Sequence, residues 1–216
     1  MASAVVVIGG VPAQQVLPPS RTMSGIDTVI AADSGYDLAV NLGLQVDLLV
    51  GDMDSISAAG LEHAEARGVA IVRYGSDKES TDLELALDAA LDRADERIVV
   101  IGGEGGRFDH LVGNVSVLTS PRFAHLAVEA WIGRAYAAIV RGRWSAALRP
   151  GACLSVLPWG GAATVAATGV KWPLGHELLA AGTSRGISNE ALGGEVEIEV
   201  DDGLVMVLVP DAEEFT

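Results

Sequence analysis

Along the first half of the chain, short apolar runs alternate with longer segments whose apolar residues recur every three or four positions. The runs at 4–8, 28–32, 46–50, 69–73 and 97–101 predict strands with little polar interruption. Between them, 34–43 carries Leu38 and Leu42 at helical spacing and ends on Gly43, and 57–67 reads as a polar-faced helix closed by Gly68. The segment 82–93 is the clearest helix. Leu83, Ala86, Leu87, Ala90 and Leu91 fall on one side, Glu84, Asp88 and Asp92 on the other. A helix over 110–118 and a strand over 124–130 extend the series. Residues 11–25 hold Pro12, Pro18, Pro19 and Gly25 and read as a loop with a helical turn after the prolines. Strands that are apolar throughout and separated by helices imply a mostly parallel sheet covered on both faces.

After Gly133 the pattern changes. Runs at 134–140, 153–157, 162–167, 195–200 and 204–209 predict strands, and no long amphipathic helix follows. The segment 195–200 alternates glutamate with apolar residues, meets Asp201-Asp202-Gly203, and continues into the apolar run 204–209, which predicts a hairpin. The expected fold is α/β: a Rossmann-like domain with a mostly parallel sheet over 1–140, then a smaller antiparallel β-sandwich-like domain over 141–216.

Composition narrows the function. Fourteen basic against 29 acidic side chains give a net charge of −15, so no basic excess exists to neutralise a nucleic-acid backbone. Nor does any apolar run reach the roughly 18 residues of a membrane span. Neither nucleic acid nor membrane is an expected partner. The first residues carry no basic region before their apolar run, and the one cysteine, Cys153, has no internal partner. A cytoplasmic protein is expected.

Candidate chemistry follows the strands. Asp33 stands after the second run; Asp52 and Asp54, in Gly51-Asp52-Met53-Asp54-Ser55, after the third; Asp77 to Asp82, with Lys78 and Thr81, after the fourth; and Asp109 after the fifth. In an open parallel sheet, ligands bind beyond the carboxyl ends of the strands. Distant segments can therefore deliver several acids to one crevice, where carboxylates repel unless they are protonated or share a cation. Hard oxygen ligands suit Mg²⁺ bridged to phosphates. Local explanations stand beside this one. Asp33 is also placed to cap the helix after it, Asp52 and Asp54 suit a turn, and Thr81 with Glu84 fits a capping box.

Between the fifth strand and its helix, Gly102-Gly103-Glu104-Gly105-Gly106-Arg107 offers amides and a guanidinium to phosphate oxygens. It has neither the P-loop nor the dinucleotide-binding spacing. His110 and Asn114, four apart, share a helix face. In the second half, Trp172 suits either a core position or stacking on a flat ring, and Ser188 and Asn189 suit either a turn or hydrogen bonds to a heterocycle.

Taken in order, these motifs resemble the thiamine pyrophosphokinase family. Ala32-Asp33-Ser34-Gly35 resembles its Asp-Gly-Gly segment, and Gly51-Asp52-Met53-Asp54-Ser55 its Gly-Asp-Phe-Asp-Ser. Lys78-Glu79-Ser80-Thr81-Asp82 resembles its Lys-Asp-x-Thr-Asp. Gly105-Gly106-Arg107-Phe108-Asp109-His110, with Asn114, is similar to its Gly-Gly-Arg-x-Asp-His and following Asn. Residues 155–158, 169–174 and 188–190 resemble motifs of its second domain. Ser34, Met53 and Glu79 depart from the pattern.

The resemblance implies transfer of the pyrophosphoryl group of ATP to thiamine, with a β-rich C-terminal domain for thiamine binding and dimerisation and a homodimer with active sites at its interface. It implies that Asp33, Asp52, Asp54 and Asp82 gather around Mg²⁺. Asp33, Ser34, Thr81, Arg107, His110 and Asn114 would bind ATP, and Asp109, Trp172, Ser188 and Asn189 would meet thiamine. Asp54, Asp82, Lys78, Arg107 and Asp109 would carry the chemistry. A diphosphokinase for another hydroxyalkyl heterocycle, such as a pterin, and a non-catalytic nucleotide- or thiamine-binding module are the competing readings.

Overall fold

The computed structural model describes residues 2–10, 18–75, 77, 79–94, 96–105 and 107–216. The chain divides into two compact units, Met1–Gly133 and Arg134–Thr216.

The first unit carries β1 (Ser3–Ile8), α1 (Ser20–Met23), β2 (Thr28–Ala32), α2 (Gly35–Asn41), β3 (Leu48–Gly51), α3 (Ala58–Ala66), β4 (Ala70–Arg73), α4 (Asp82–Leu91), β5 (Arg97–Gly102), α5 (Phe108–Leu118) and β6 (Ala127–Ile132). Its strands lie in the order β6-β5-β1-β2-β3-β4, and all pair in parallel. β1 is buried at all six positions, as a central strand covered on both faces must be. Each fully buried Val or Ile contributes roughly 1.5–3 kcal/mol relative to exposure. α4 starts where the Thr81 hydroxyl accepts the Glu84 amide at 3.2 Å, the predicted cap. It buries Leu83, Ala86, Leu87 and Ala90 and packs on β1, β2 and β3.

The register aligns the strand ends. Ile8 lies opposite Ala32 and Gly102, and Ala32 lies opposite Val50. The residues that follow therefore emerge along one rim. β1 sits between β2 and β5, so the chain leaves it toward one side and later returns on the other. That divergence opens a crevice at the rim. β6 begins three residues later than the predicted 124, because Pro121–Phe123 forms a 3-10 turn with Phe123 buried.

The second unit carries β7 (Ala135–Val140), β8 (Arg143–Leu148), β9 (Cys153–Pro158), β10 (Ala163–Thr168), β11 (Leu174–Leu179), β12 (Asn189–Glu190), β13 (Gly194–Asp202) and β14 (Val205–Val209). Antiparallel pairing joins them in two groups, β12-β9-β14-β7 and β11-β10-β13-β8. The unit begins at Arg134, ahead of the break expected at 141, because β7 pairs along its length with β14, Tyr136 opposite Val209 through Val140 opposite Val205.

The predicted hairpin of 195–200 with 204–209 does not form. β13 lies between β10 and β8, whereas β14 lies between β9 and β7. β13 buries only alternate residues, Val196, Ile198 and Val200, with glutamates on its other face; β14 buries Val205, Met206 and Val207 in succession. Two strands with such different demands for cover separate into different sheets, and Asp201-Asp202-Gly203 is the corner between them. β8, β11 and β12 also form, although no strand is predicted over their stretches. β8 runs over 143–148, just after the expected domain boundary, and β11 contains Gly175 and pairs across an irregularity between Val165 and Ala167.

Among the described residues no helix is long and apolar enough to cross a membrane. At the rim, Gly51 has φ 145°, and a Cβ there would stand 3.1 Å from both Asp33 Cβ and Asp82 Oδ1. Gly51→Ala is therefore expected to destabilise the chain by about 1–3 kcal/mol, read as a lower urea midpoint at unchanged m-value.

Candidate functional site

Directly beyond the aligned strand ends stand Asp33 after β2, Asp52 after β3, and Asp82 at the first position of α4. One carboxylate oxygen from each lies within 4.8 Å of the other two. Three segments separated by 19 and 30 residues of sequence (52 − 33 and 82 − 52) meet here because the strands that precede them are in register.

Asp33 is the buried member, 3% exposed. It does not cap α2; Ser34 takes the cap position without a side-chain bond. A positive φ of 47° at Asp33 turns its carboxylate across to the β3–α3 loop. There Oδ1 accepts the Ile56 amide at 2.7 Å and the Ser55 amide at 3.3 Å. Oδ2 is buried, and among the described residues no donor reaches it. Burial raises the carboxyl pKa of Asp33, and Asp52 and Asp82 raise it further, against the lowering effect of Ile56 and Ser55.

Met53, at φ 66°, packs inward against the cluster of Ala31, Tyr36, Leu49, Ile56 and Ala64. With Met53 turned inward, Asp52 and Asp54 both line the cavity. The Asp54 amide donates to Asp52 Oδ1 at 3.3 Å. Asp54 is not one of the three converging carboxylates.

The cluster opens on a cavity of about 580 Å³ in the first unit. Gly9 and Gly10 after β1, Gly103, Gly105 and Arg107 after β5, Ser34, Ser55, Thr81, and Asp109, His110, Gly113 and Asn114 of α5 also line it. His110 and Asn114 thus share a helix face, as their spacing predicts. Arg107 is exposed and clasps Asp109 through two contacts of 3.1 and 2.5 Å. The guanidinium holds the Asp109 carboxyl below the usual carboxylate range, and Asp109 raises Arg107 in turn. Glu79 is exposed and off the cavity lining. Lys78 and Gly106 lie outside the described residues.

The arrangement suits a divalent cation carrying a polyphosphate. Three hard oxygen donors converge, one with a buried oxygen that no donor among the described residues satisfies, and a glycine-rich rim with an arginine lines the same cavity. Mg²⁺ fits that donor set.

Trp172, Ser188 and Asn189 belong to the second unit and lie together there. Trp172 is 48% exposed, with Lys171 Nζ 4.9 Å from its ring centroid. Asn189 is buried. Its Oδ1 accepts the Trp172 and Glu190 amides at 3.1 and 2.9 Å, and its Nδ2 donates to the Trp172 carbonyl at 2.7 Å. Ser188 is exposed, at φ 56°, and its amide donates to Ser155 Oγ at 3.0 Å.

Sequence reasoning did not assign Gly9, Gly10 or Ser55 to the cavity. The glycine pair after β1 was a visible signal, but only the strand order shows that β1 is central. Ser55 carried no signal beyond its place in the acidic motif.

Comparison with known proteins agrees with this geometry. The family model described as thiamin pyrophosphokinase, catalytic domain, matches residues 20–130, and the one described as thiamin pyrophosphokinase, vitamin B1 binding domain, matches 145–205. The chain is 36% identical over 89 residues to thiamine pyrophosphokinase of Bacillus subtilis (strain 168), covering 41% of this chain and 42% of that protein. It is 30% identical over 115 residues to thiamine pyrophosphokinase 1 of Oryza sativa subsp. japonica, covering 50% and 42%. The matches thus span about two fifths of each curated relative. The crystal structure of thiamine pyrophosphokinase from Bacillus subtilis superposes with a TM-score of 0.81 at 23% identity over 98% of this chain and 100% of that one, a likeness of fold. That of thiamin pyrophosphokinase from Geobacillus thermodenitrificans gives 0.78 at 26% identity over 99% and 100%.

The raised Asp33 pKa has a testable sign. Its proton is held more tightly in the fold than in the unfolded chain, so its contribution to stability is fully present below the ordinary value of 3.8 and is lost as pH rises through the raised one. Without divalent ions, Asp33→Asn should match the unaltered chain near pH 4 and exceed its Tm increasingly toward neutral pH. Added Mg²⁺ should raise the Tm of the unaltered chain and leave that of Asp33→Asn unchanged. Thermal scans across pH, with and without Mg²⁺, check both.

Proposed function

The chain belongs to the thiamin pyrophosphokinase family, and on that premise we propose that it transfers the pyrophosphoryl group of ATP to the hydroxyethyl oxygen of thiamine, forming thiamine diphosphate and AMP. The observation that carries this reading is the convergence of Asp33, Asp52 and Asp82 on one cavity with the glycine-rich rim and Arg107.

Asp33, Asp52 and Asp82 would hold Mg²⁺, with Asp54 beside them on the lining. When bound, the ion supplies charge neutralisation and Lewis acidity at the phosphate oxygens. Gly9, Gly10, Gly103 and Gly105 let the backbone approach those oxygens closely, and His110 and Asn114 face the same space. The thiamine hydroxyl oxygen bonds to the β-phosphorus; the bond from that phosphorus to the oxygen bridging to the α-phosphate breaks, and AMP leaves with the electron pair. The hydroxyl proton passes to a carboxylate, Asp82 or Asp109. While Arg107 clasps Asp109, that carboxylate is a poor proton acceptor. A phosphate that competes for the guanidinium weakens the clasp and makes Asp109 more basic.

In the second unit, the half-exposed Trp172 ring and the exposed Ser188 offer a stacking surface and a hydroxyl to a flat heterocycle. A homodimer is part of the same proposal. Phe108 and Val112, 78% and 42% exposed on the helix that carries His110 and Asn114, are apolar side chains that a second copy would cover.

Incubation with thiamine, ATP and Mg²⁺ should yield AMP and thiamine diphosphate in equal amounts. AMP formed only with a different hydroxyalkyl heterocycle would reassign the acceptor, and nucleotide binding without AMP would make the chain a binding module. Asp52→Asn and Asp82→Asn should each lower kcat by on the order of 100-fold or more. Asp54→Asn, outside the converging three, should lose less. Steady-state rates at saturating Mg²⁺ make the comparison.

A further inference from the structure

The β3–α3 loop, residues 52–57, brings Asp52 and Asp54 to the cavity, and the segment from Asp33 into α2 holds its backbone at two points. Asp33 Oδ1 takes the Ser55 and Ile56 amides. One helical turn later, Asp37 takes the end of the loop: Oδ2 accepts the Ser57 amide at 2.8 Å, and Oδ1 accepts the Ser57 hydroxyl at 2.7 Å. The same hydroxyl accepts the Gly60 amide at 2.9 Å and so caps α3. A Cβ at Gly60 would overlap Asp37 Oδ1, so the glycine leaves room for that carboxylate. Asp37 lines no part of the cavity and is not among the converging carboxylates.

The two anchors differ in what else they must do. Asp33 has to share its carboxylate between the loop amides and a cation, whereas Asp37 serves the loop alone. An ion that pulls on Asp33 also pulls on the amides bound to it, and without a second anchor the loop would move with the ion. We propose that Asp37 is a positioning residue for the divalent cation. By tying Ser57 to α2, it holds Asp52 beside Asp33 and Asp82 before the ion arrives. The inference rests on the metal reading of the site and deepens it by naming a residue that sets metal affinity without touching the metal.

Such outer partners typically change metal affinity by 10–100-fold. The test is calorimetric titration of the full chain with Mg²⁺ alone, with no nucleotide or thiamine. Asp37→Ala should weaken the Mg²⁺ Kd by on the order of 10-fold. Asp37→Asn, which retains an acceptor for the Ser57 amide, should recover much of that loss. In turnover, Asp37→Ala should raise the Mg²⁺ concentration needed for half-maximal rate while kcat at saturation stays near that of the unaltered chain. Ser57→Ala separates positioning from capping. It removes the α3 cap but keeps the Ser57 amide on Asp37, so Tm should fall while the Mg²⁺ Kd changes by less than about 3-fold. A lower Tm in Asp37→Ala with an unchanged Kd would overturn the inference and leave the metal site standing. An unaltered chain that binds no Mg²⁺ would overturn the metal reading and this inference together. If Asp37→Ala does not fold, Asp37→Ser, whose hydroxyl is too short to reach the Ser57 amide, takes its place, and an Mg²⁺ Kd equal to that of the unaltered chain would refute positioning.

Discussion

Three carboxylates with oxygens within 4.8 Å of one another repel, and the arrangement of the first unit depends on how that repulsion is contained. Near a protein surface, two unit charges about 4 Å apart cost about 4 kcal/mol. Left to themselves, acids on loops would swing apart into water. Here Asp33 is fixed by burial and by two backbone amides, Asp52 stands on a loop anchored at both ends, and Asp82 begins a helix whose first-turn dipole favours a negative charge. Backbone donors and a helix terminus compensate part of the repulsion. A divalent cation with a bound polyphosphate would compensate the rest.

The sheet makes this possible through register rather than through any one contact. Parallel pairing of β1, β2, β3 and β5 places the residues after Ile8, Ala32, Val50 and Gly102 along a common edge. Close approach at that edge requires glycine at Gly51, where any side chain would press on Asp33 and Asp82. Backbone geometry, acid placement and the glycine-rich rim are thus one constraint seen at three scales. The pairing of Arg107 with Asp109 adds a polar element that can exchange partners. A phosphate can form the same bidentate pair with a guanidinium as a carboxylate does, so on the proposed function nucleotide binding and the basicity of Asp109 would be linked.

Much of the first unit was legible in the chain. β2 and the start of α4 fall where apolar runs and the Thr81 capping signal place them, because both are local: a strand buried on both faces must be apolar throughout, and a hydroxyl three residues before a free amide caps a helix. The convergence of Asp33, Asp52 and Asp82 was legible for a different reason, since residues that follow parallel strands share one edge. The second unit was harder. Asp201-Asp202-Gly203 between two β-rich runs has every local mark of a hairpin, yet β13 and β14 part to different sheets. Turn chemistry reports that the chain reverses, not which strand it then pairs with.

What the amino-acid order determined by itself was the set of elements, their amphipathic faces and the acids placed after each strand, because those depend on neighbours a few positions away. Only the tertiary structure decided that Asp33 turns from the helix after it to hold the β3–α3 loop, that Asn189 spends its amide on the Trp172 backbone, and that β7 joins β14. Each of these is a partnership between segments distant in sequence, and a hydrogen-bonding group carries no mark of which distant partner will satisfy it until burial removes water from the choice.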